Sequence, residues 1–123
     1  MLAAAQGWLR DGMDQHGGKS FVLIAEDAHG ARLGFATVAQ SRHFTGVPQA
    51  ELGELVVRED AEGQGVGQAL VAACAEWARA QGYAFLALGT GAANTRARRF
   101  YQQLGFREED VRLVKLLDAD GAE

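Results

Sequence analysis

Residues 50–88 spell one continuous unit: apolar strand, glycine-rich turn, amphipathic helix, glycine stop, second apolar strand. Residues 50–57, Ala-Glu-Leu-Gly-Glu-Leu-Val-Val, read as a strand. Gly63, Gly65 and Gly67 line the turn. In the helix over 65–80, Leu70, Cys74, Trp77 and Gln81 fall on one stripe, with Val71 and Ala78 beside it. Gly82 stops the helix, and 83–88 form a buried strand. Two strands joined through such a helix lie parallel, and the crossover is right-handed. This commits the chain to an α/β fold.

The remaining segments arrange themselves around that unit. Leu2, Ala5, Leu9 and Met13 repeat at helical spacing and predict a helix ending near Gly12, after which Gly17-Gly18 breaks the chain. Strands are expected over 21–26 and 33–40, with Asp27-Ala28-His29-Gly30 as the hairpin turn between them. Residues 41–49, with Gly46 and the single proline Pro48, read as a loop. A helix over 94–103 stops at Gly105, residues 106–109 turn back, and 111–117 form a last strand before a frayed polar tail. The hairpin is antiparallel and the crossover parallel. The expected fold is therefore a mixed, mainly antiparallel sheet with a central βαβ crossover and helices on both faces.

A chain of 123 residues that is 48% hydrophobic makes one domain with a real core. Its net charge of −4 carries no basic block, which argues against nucleic acid and mildly favours a cationic substrate. Cys74 is the only cysteine, and His16, His29 and His43 lack ligand spacing, so no disulfide or metal site is expected. No run reaches the roughly 20 apolar residues of a membrane span. The N-terminus has no basic stretch followed by an apolar block, so the expected location is the cytoplasm.

Two segments carry chemistry. The first is the turn Glu62-Gly63-Gln64-Gly65-Val66-Gly67-Gln68. Glycines there allow positive φ and close backbone approach, and a helix N-terminus favours an anion. The spacing is neither a P-loop nor a dinucleotide fingerprint, so by itself the loop is equally a tight structural turn. The second is Asn94-Thr95-Arg96-Ala97-Arg98-Arg99-Phe100-Tyr101-Gln102-Gln103-Leu104-Gly105-Phe106. Ala97, Phe100, Tyr101 and Leu104 share one helical face and read as core. Tyr101 stands apart, because a buried hydroxyl needs a partner. Asn94 is a natural N-cap, and Arg96, Arg98 and Arg99 form a solvated face.

Together these segments resemble the acyl-CoA site of the GNAT superfamily of N-acetyltransferases. The family places Gln/Arg-x-x-Gly-x-Gly/Ala at the strand-to-helix turn, and Asn-x-x-Ala-x-x-Phe-Tyr-x-x-Leu-Gly-Phe as a second signature. The chain matches every named position of the second. At the first, Glu62 replaces the usual Arg or Gln, either facing solvent or opposing a pyrophosphate. The resemblance covers roughly residues 20–117. It implies acetyl-CoA as cosubstrate, held by Leu55, Val56, Val57, Glu62, Gly63, Gln64, Gly65, Val66, Gly67, Gln68, Asn94, Ala97, Phe100 and Tyr101. Asn94 either contacts the pantetheine or caps its helix. One of the arginines lies near the 3′-phosphate. The family's first strand and helix are expected to be missing before Met1. Either the chain begins late, or a partner, with a homodimer one form of it, covers the open edge of strand 21–26.

The implied chemistry is direct attack of a neutral primary amine on the thioester. A backbone N–H of Val56 or Val57 donates to the oxyanion, beside a bulge that splays strand 50–57 from strand 83–88. Tyr101 protonates the thiolate. The base is Glu51 or Glu54, which strand alternation sets on opposite faces. The acceptor is left open among polyamine, aminoglycoside-like, amino-acid and protein amines, with His43, Phe44 and Gln49 near its pocket. The alternatives are a non-catalytic acyl-CoA-binding sensor or interaction module on the same fold, and a scaffold subunit.

Overall fold

The computed structural model describes residues 10–13 and 19–117. The chain divides into two compact units, Met1–Thr90 and Gly91–Glu123. In the first unit five strands form one sheet in the order β1-β2-β3-β4-β5. They are β1 (Arg10–Met13), β2 (Lys19–Glu26), β3 (Arg32–Arg42), β4 (Pro48–Val57) and β5 (Leu86–Leu88). β1 to β4 are antiparallel neighbours, and β5 runs parallel to β4. The link from β4 to β5 is helix α1 (Val66–Ala80). The mixed, mainly antiparallel sheet with one βαβ crossover is thus the fold the sequence pattern demands.

One face of the sheet and one stripe of α1 make the core. Val66, Leu70, Val71, Cys74, Trp77 and Ala78 of α1 are buried, as are Phe21, Leu23 and Ala25 of β2, Leu33, Ala36 and Val38 of β3, and Ala50 and Leu52 of β4. Along β2 and β4, and between Ala36 and Val38 on β3, their alternation is the period of a sheet with one packed face; Leu33 falls out of that period at the register shift between Ala25 and Glu26. Phe21 meets Trp77 with ring centroids 4.7 Å apart. Burying a leucine such as Leu70 contributes about 1.5–3 kcal/mol. Cys74 is fully buried, and desolvation pushes its thiol up to about 12.

Gly82 ends α1 as expected, with φ of 88°. The N–H of Gly82 donates to Arg79 O and that of Tyr83 to Ala78 O, so two carbonyls of the last turn are satisfied. Gln81, assigned by spacing to the buried stripe, is the exposed C-cap instead. The turn after β2 also forms as expected. The Asp27 carboxylate accepts from the N–H groups of His29 (2.8 Å) and Ala31 (2.9 Å), and these bonds hold its pKa below the ordinary value.

Four expectations are overturned. The helix predicted up to Gly12 does not reach its end: Arg10–Met13 is a strand paired with 19–22 of β2. Asp11 and Gly12 are weak helix formers, and the edge of β2 offers them ladder bonds. Leu2, Ala5 and Leu9 lie outside the described residues, as does the tail 118–123. The loop expected over 41–49 is a tight hairpin. β3 and β4 pair out to Arg42 and Pro48, His43 N–H donates to Val47 O at 2.8 Å, and Gly46 turns the chain at φ of 93°. The second crossover strand is three residues long and only half-buried, because it pairs on one side among the described residues. Phe85 just before it is 45% exposed.

The fourth lies in the second unit, which holds helix α2 (Thr95–Gln103). Residues 111–117 are not a strand, and Val111, Leu113, Val114, Leu116 and Leu117 are exposed. Their apolar spacing fits a strand, but no described strand pairs with them, and a lone strand is not stable.

Candidate functional site

β4 pairs with β5 only through Ala50↔Leu86, Glu51↔Ala87 and Leu52↔Leu88. It then runs on to Val57 beside β3 alone. A parallel ladder therefore opens after Leu52, leaving one side of residues 53–57 unpaired by any described strand. The ladder with β3 decides which groups face that side. Arg58 N–H donates to Leu33 O at 2.7 Å. Antiparallel alternation then aims the Val56 N–H at β3 and turns those of Leu55 and Val57 away from it. Gly34 lets the two strands lie this close, since a Cβ there would sit 2.5 Å from Val56 O.

The opening coincides with a bulge. Val38 pairs with Leu52 and Ala36 with Leu55, so Thr37 opposes both Gly53 and Glu54. The sequence forces it. Leu52 and Leu55 both belong on the face packed by α1, yet they are three residues apart, and a period of two cannot serve both. The extra residue also moves the carboxylates. Simple alternation separates Glu51 from Glu54, but the bulge returns both to the face opposite α1, with Val56. Both are exposed.

Beyond β4 a single 3-10 turn (Glu59–Ala61) is pinned by buried Ala61, and Val66, 1% exposed, pins the start of α1. Between the two anchors the backbone takes positive φ at Gly63 (79°) and Gly65 (83°). Gly65 is the N-cap of α1, and no side chain caps the helix. The first intrahelical bond is Ala69 N–H to Gly65 O, 3.0 Å. The amides of Val66, Gly67 and Gln68 therefore have no acceptor within the helix and sit at its positive end. A Cβ on Gly63 would meet nothing within 4 Å, and one on Gly65 only Gln68 Oε1 at 3.9 Å. The loop is open enough to receive an anion. Gln64 and Glu62 are exposed, and the Glu62 N–H is held by Glu59 O.

The second signature forms a compact motif within its own unit. Asn94 Oδ1 accepts from Ala97 N–H at 3.1 Å, so Asn94 is the N-cap. At the other end Gly105 has φ of 96° and donates to Gln102 O, while Phe106 N–H donates to Tyr101 O. Tyr101 packs edge-on against Phe100 (5.1 Å) and Phe106 (5.6 Å). Ala97, Phe100, Tyr101 and Leu104 share the half-buried face, as their spacing requires, though none is fully buried. Arg98 is no solvated charge: it holds Glu108 and Ala92 O, tying helix to flanking chain. Arg96 and Arg99 border a shallow hollow of about 340 Å³ with Thr95, Phe100 and Gln103.

Near the hairpin tip, His43 stacks on Phe85 at 5.3 Å and touches Phe44 at 4.2 Å. Gln49 is buried and gives Ser41 Oγ one hydrogen bond of 3.0 Å, leaving its Oε1 without a partner among the described residues. Sequence reasoning missed the roles of Thr37 and Gly34 on β3. The signal for Thr37 was present in the odd spacing of Leu52 and Leu55.

The Acetyltransferase (GNAT) family model matches residues 3–106. The L-methionine sulfoximine/L-methionine sulfone acetyltransferases of Pseudomonas paraeruginosa and Pseudomonas aeruginosa are each 34% identical over 85 residues, 69% of this chain and 49% of theirs. The chain thus spans about half the length of these curated relatives. Among solved structures, a Pyrococcus furiosus protein named as an acetyl transferase superposes with a TM-score of 0.76 at 23% identity, over 81% of this chain and 67% of that one. A ribosomal-protein-alanine N-acetyltransferase from Brucella melitensis biovar Abortus gives 0.66 at 21% identity, over 80% and 71%. At those identities the superpositions speak for the fold alone. With the opened β4 edge, the glycine cradle and the intact second signature, the match over residues 3–106 establishes that this chain belongs to the GNAT family of acetyltransferases.

Proposed function

We propose that the chain transfers an acetyl group from acetyl-CoA to a primary amine by direct attack. The observation that carries this reading is one continuous backbone surface. The outward amides of Leu55 and Val57 lead into the positive-φ turn at Gly63 and Gly65 and then to the amides of Val66, Gly67 and Gln68. An extended pantetheine arm ending in a pyrophosphate matches it, the arm along β4 and the anion at the helix start. Acetyl-CoA supplies the activated acyl group, and the protein's part is to orient it and move protons.

Glu51 or Glu54 accepts a proton from the substrate ammonium, directly or through water. The amine then attacks the thioester carbonyl, and the oxyanion is met by an outward backbone amide, with Val57 favoured over Val56 by the ladder. As the C–N bond forms the C–S bond breaks. Tyr101 gives its proton to the thiolate, and the proton that the nitrogen sheds as the amide forms passes through solvent to restore the tyrosine. The products are an N-acetylated amine, CoA thiol and one proton. The role of Tyr101 is supported by its place in the second signature.

The named relatives that act on methionine sulfoximine and sulfone make α-amino groups of small amino-acid analogues the first acceptors to try. The test is a panel of such amino acids, polyamines and peptide amines assayed for CoA release, with a thermal scan in acetyl-CoA. Stabilisation by acetyl-CoA without turnover on any amine would recast the chain as an acyl-CoA-binding module. No stabilisation would remove the reading.

A further inference from the structure

We propose that Thr37 is a positioning residue for acyl transfer: its hydroxyl closes the β4 bulge and thereby sets which groups of β4 face the reaction. The inference rests on the acyltransfer reading above. Thr37 lies on β3, opposite both Gly53 and Glu54. Its Oγ1 accepts the Glu54 N–H at 2.8 Å, so a side chain satisfies the amide that the extra residue turns toward β3. Gly53 leaves room for that hydroxyl: a Cβ there would lie 2.8 Å from Thr37 Oγ1.

The consequence follows from the period of a strand. Without the extra residue, Glu54 would pair with Ala36, which is fully buried against α1, and Leu55 would turn to the opposite face. The amides turned away from β3 would change as well, from Leu55 and Val57 to Glu54 and Val56. One hydroxyl and one missing methyl group therefore hold both the face of the carboxylates and the choice of oxyanion donor. Thr37 touches neither acyl group nor amine in this scheme and acts through Glu54.

Thr37→Val keeps shape and β-branching and removes the acceptor; Thr37→Ser restores it. In Thr37→Val the Glu54 amide should exchange with deuterium about tenfold faster, the worth of one modest hydrogen bond. The kcat should fall about 10- to 100-fold, the scale of a small misplacement of reacting groups. Stabilisation by acetyl-CoA should fall only in part, because the glycine cradle is untouched while the Leu55 and Val57 amides lose their fixed direction. Thr37→Ser should recover both exchange and kcat, which a loss of general stability would not. Unchanged Glu54 exchange and kcat in Thr37→Val would overturn the proposal, as would faster exchange with normal kcat. A wild-type chain that neither binds acetyl-CoA nor acetylates would end the acyltransfer reading and with it the catalytic half of this proposal. Glu54 exchange in the same samples would still report whether Thr37 sets the bulge.

Discussion

The two described α-helices begin in opposite ways. α2 starts at Asn94, whose side chain takes the Ala97 N–H, so part of its N-terminal donor set is already used. α1 starts at Gly65, in a left-handed conformation, with no side-chain cap at all. Their interiors are reversed too. α1 buries six side chains and draws its stability from the core, whereas α2 buries none completely and relies on its end caps and the Arg98–Glu108 pair. A helix held by packing can leave its first amides unanswered, and a helix with little packing cannot. Ligand-ready donors are therefore found where the core is strongest.

Substitutions at four positions probe that contrast, in order of expected effect. Tyr101→Phe keeps ring and packing, so folding and acetyl-CoA affinity should stay nearly intact while kcat falls about 10²–10⁴-fold, the range for a positioned acid. A normal kcat with a validated amine would make Tyr101 part of the aromatic packing only. Next, acetyl-CoA at a hundredfold excess over its dissociation constant should stabilise the wild type by about 2.7 kcal/mol. Gly65→Asp should remove that gain, since the new carboxylate fills the cradle with charge; because φ of 83° also strains an L side chain there, the helix content of both proteins by circular dichroism is compared alongside. Persistence of the thermal shift would place the anion site elsewhere.

Asn94→Ala should weaken α2 by about 1 kcal/mol, seen as faster amide exchange in that helix, and Asn94→Asp should restore it. Acetyl-CoA stabilisation should survive both changes; its loss would show that Asn94 contacts the ligand as well as capping. The smallest effect is expected at Glu62→Gln. The exposed carboxylate should leave acetyl-CoA affinity within about twofold at low and at high salt, measured by titration calorimetry. A clear tightening at low salt alone would mean that Glu62 faces the pyrophosphate.

What could be read from sequence follows the same division. The crossover 50–88 was legible because its apolar periods, glycine turn and glycine stop all agree. The second signature was legible because its caps are local: Asn94, Gly105 and Phe106 satisfy neighbours a few residues away. Long-range pairing was not. Nothing local in Arg10–Met13 announces a strand, since its ladder partner is supplied by β2. Apolar alternation in 111–117 announces a strand that no described neighbour completes. The faces of Glu51 and Glu54 went wrong for a third reason. Strict alternation does not hold across Gly53, where the two leucines demand an extra residue.

Cys74 gives the core of α1 a clock. Inside the fold its thiol stays protonated until about pH 12 and has no access to reagent; once exposed it returns to an ordinary value near 8.5 and reacts. The rate of alkylation at mild pH therefore counts how often the helix leaves the sheet. The cradle at Gly63 and Gly65 is the first turn of that same helix. A ligand that must depart before the helix opens will slow the clock by the ratio of its concentration to its dissociation constant. A single native cysteine, without any assay of chemistry, thus turns occupancy of the glycine loop into a labelling rate.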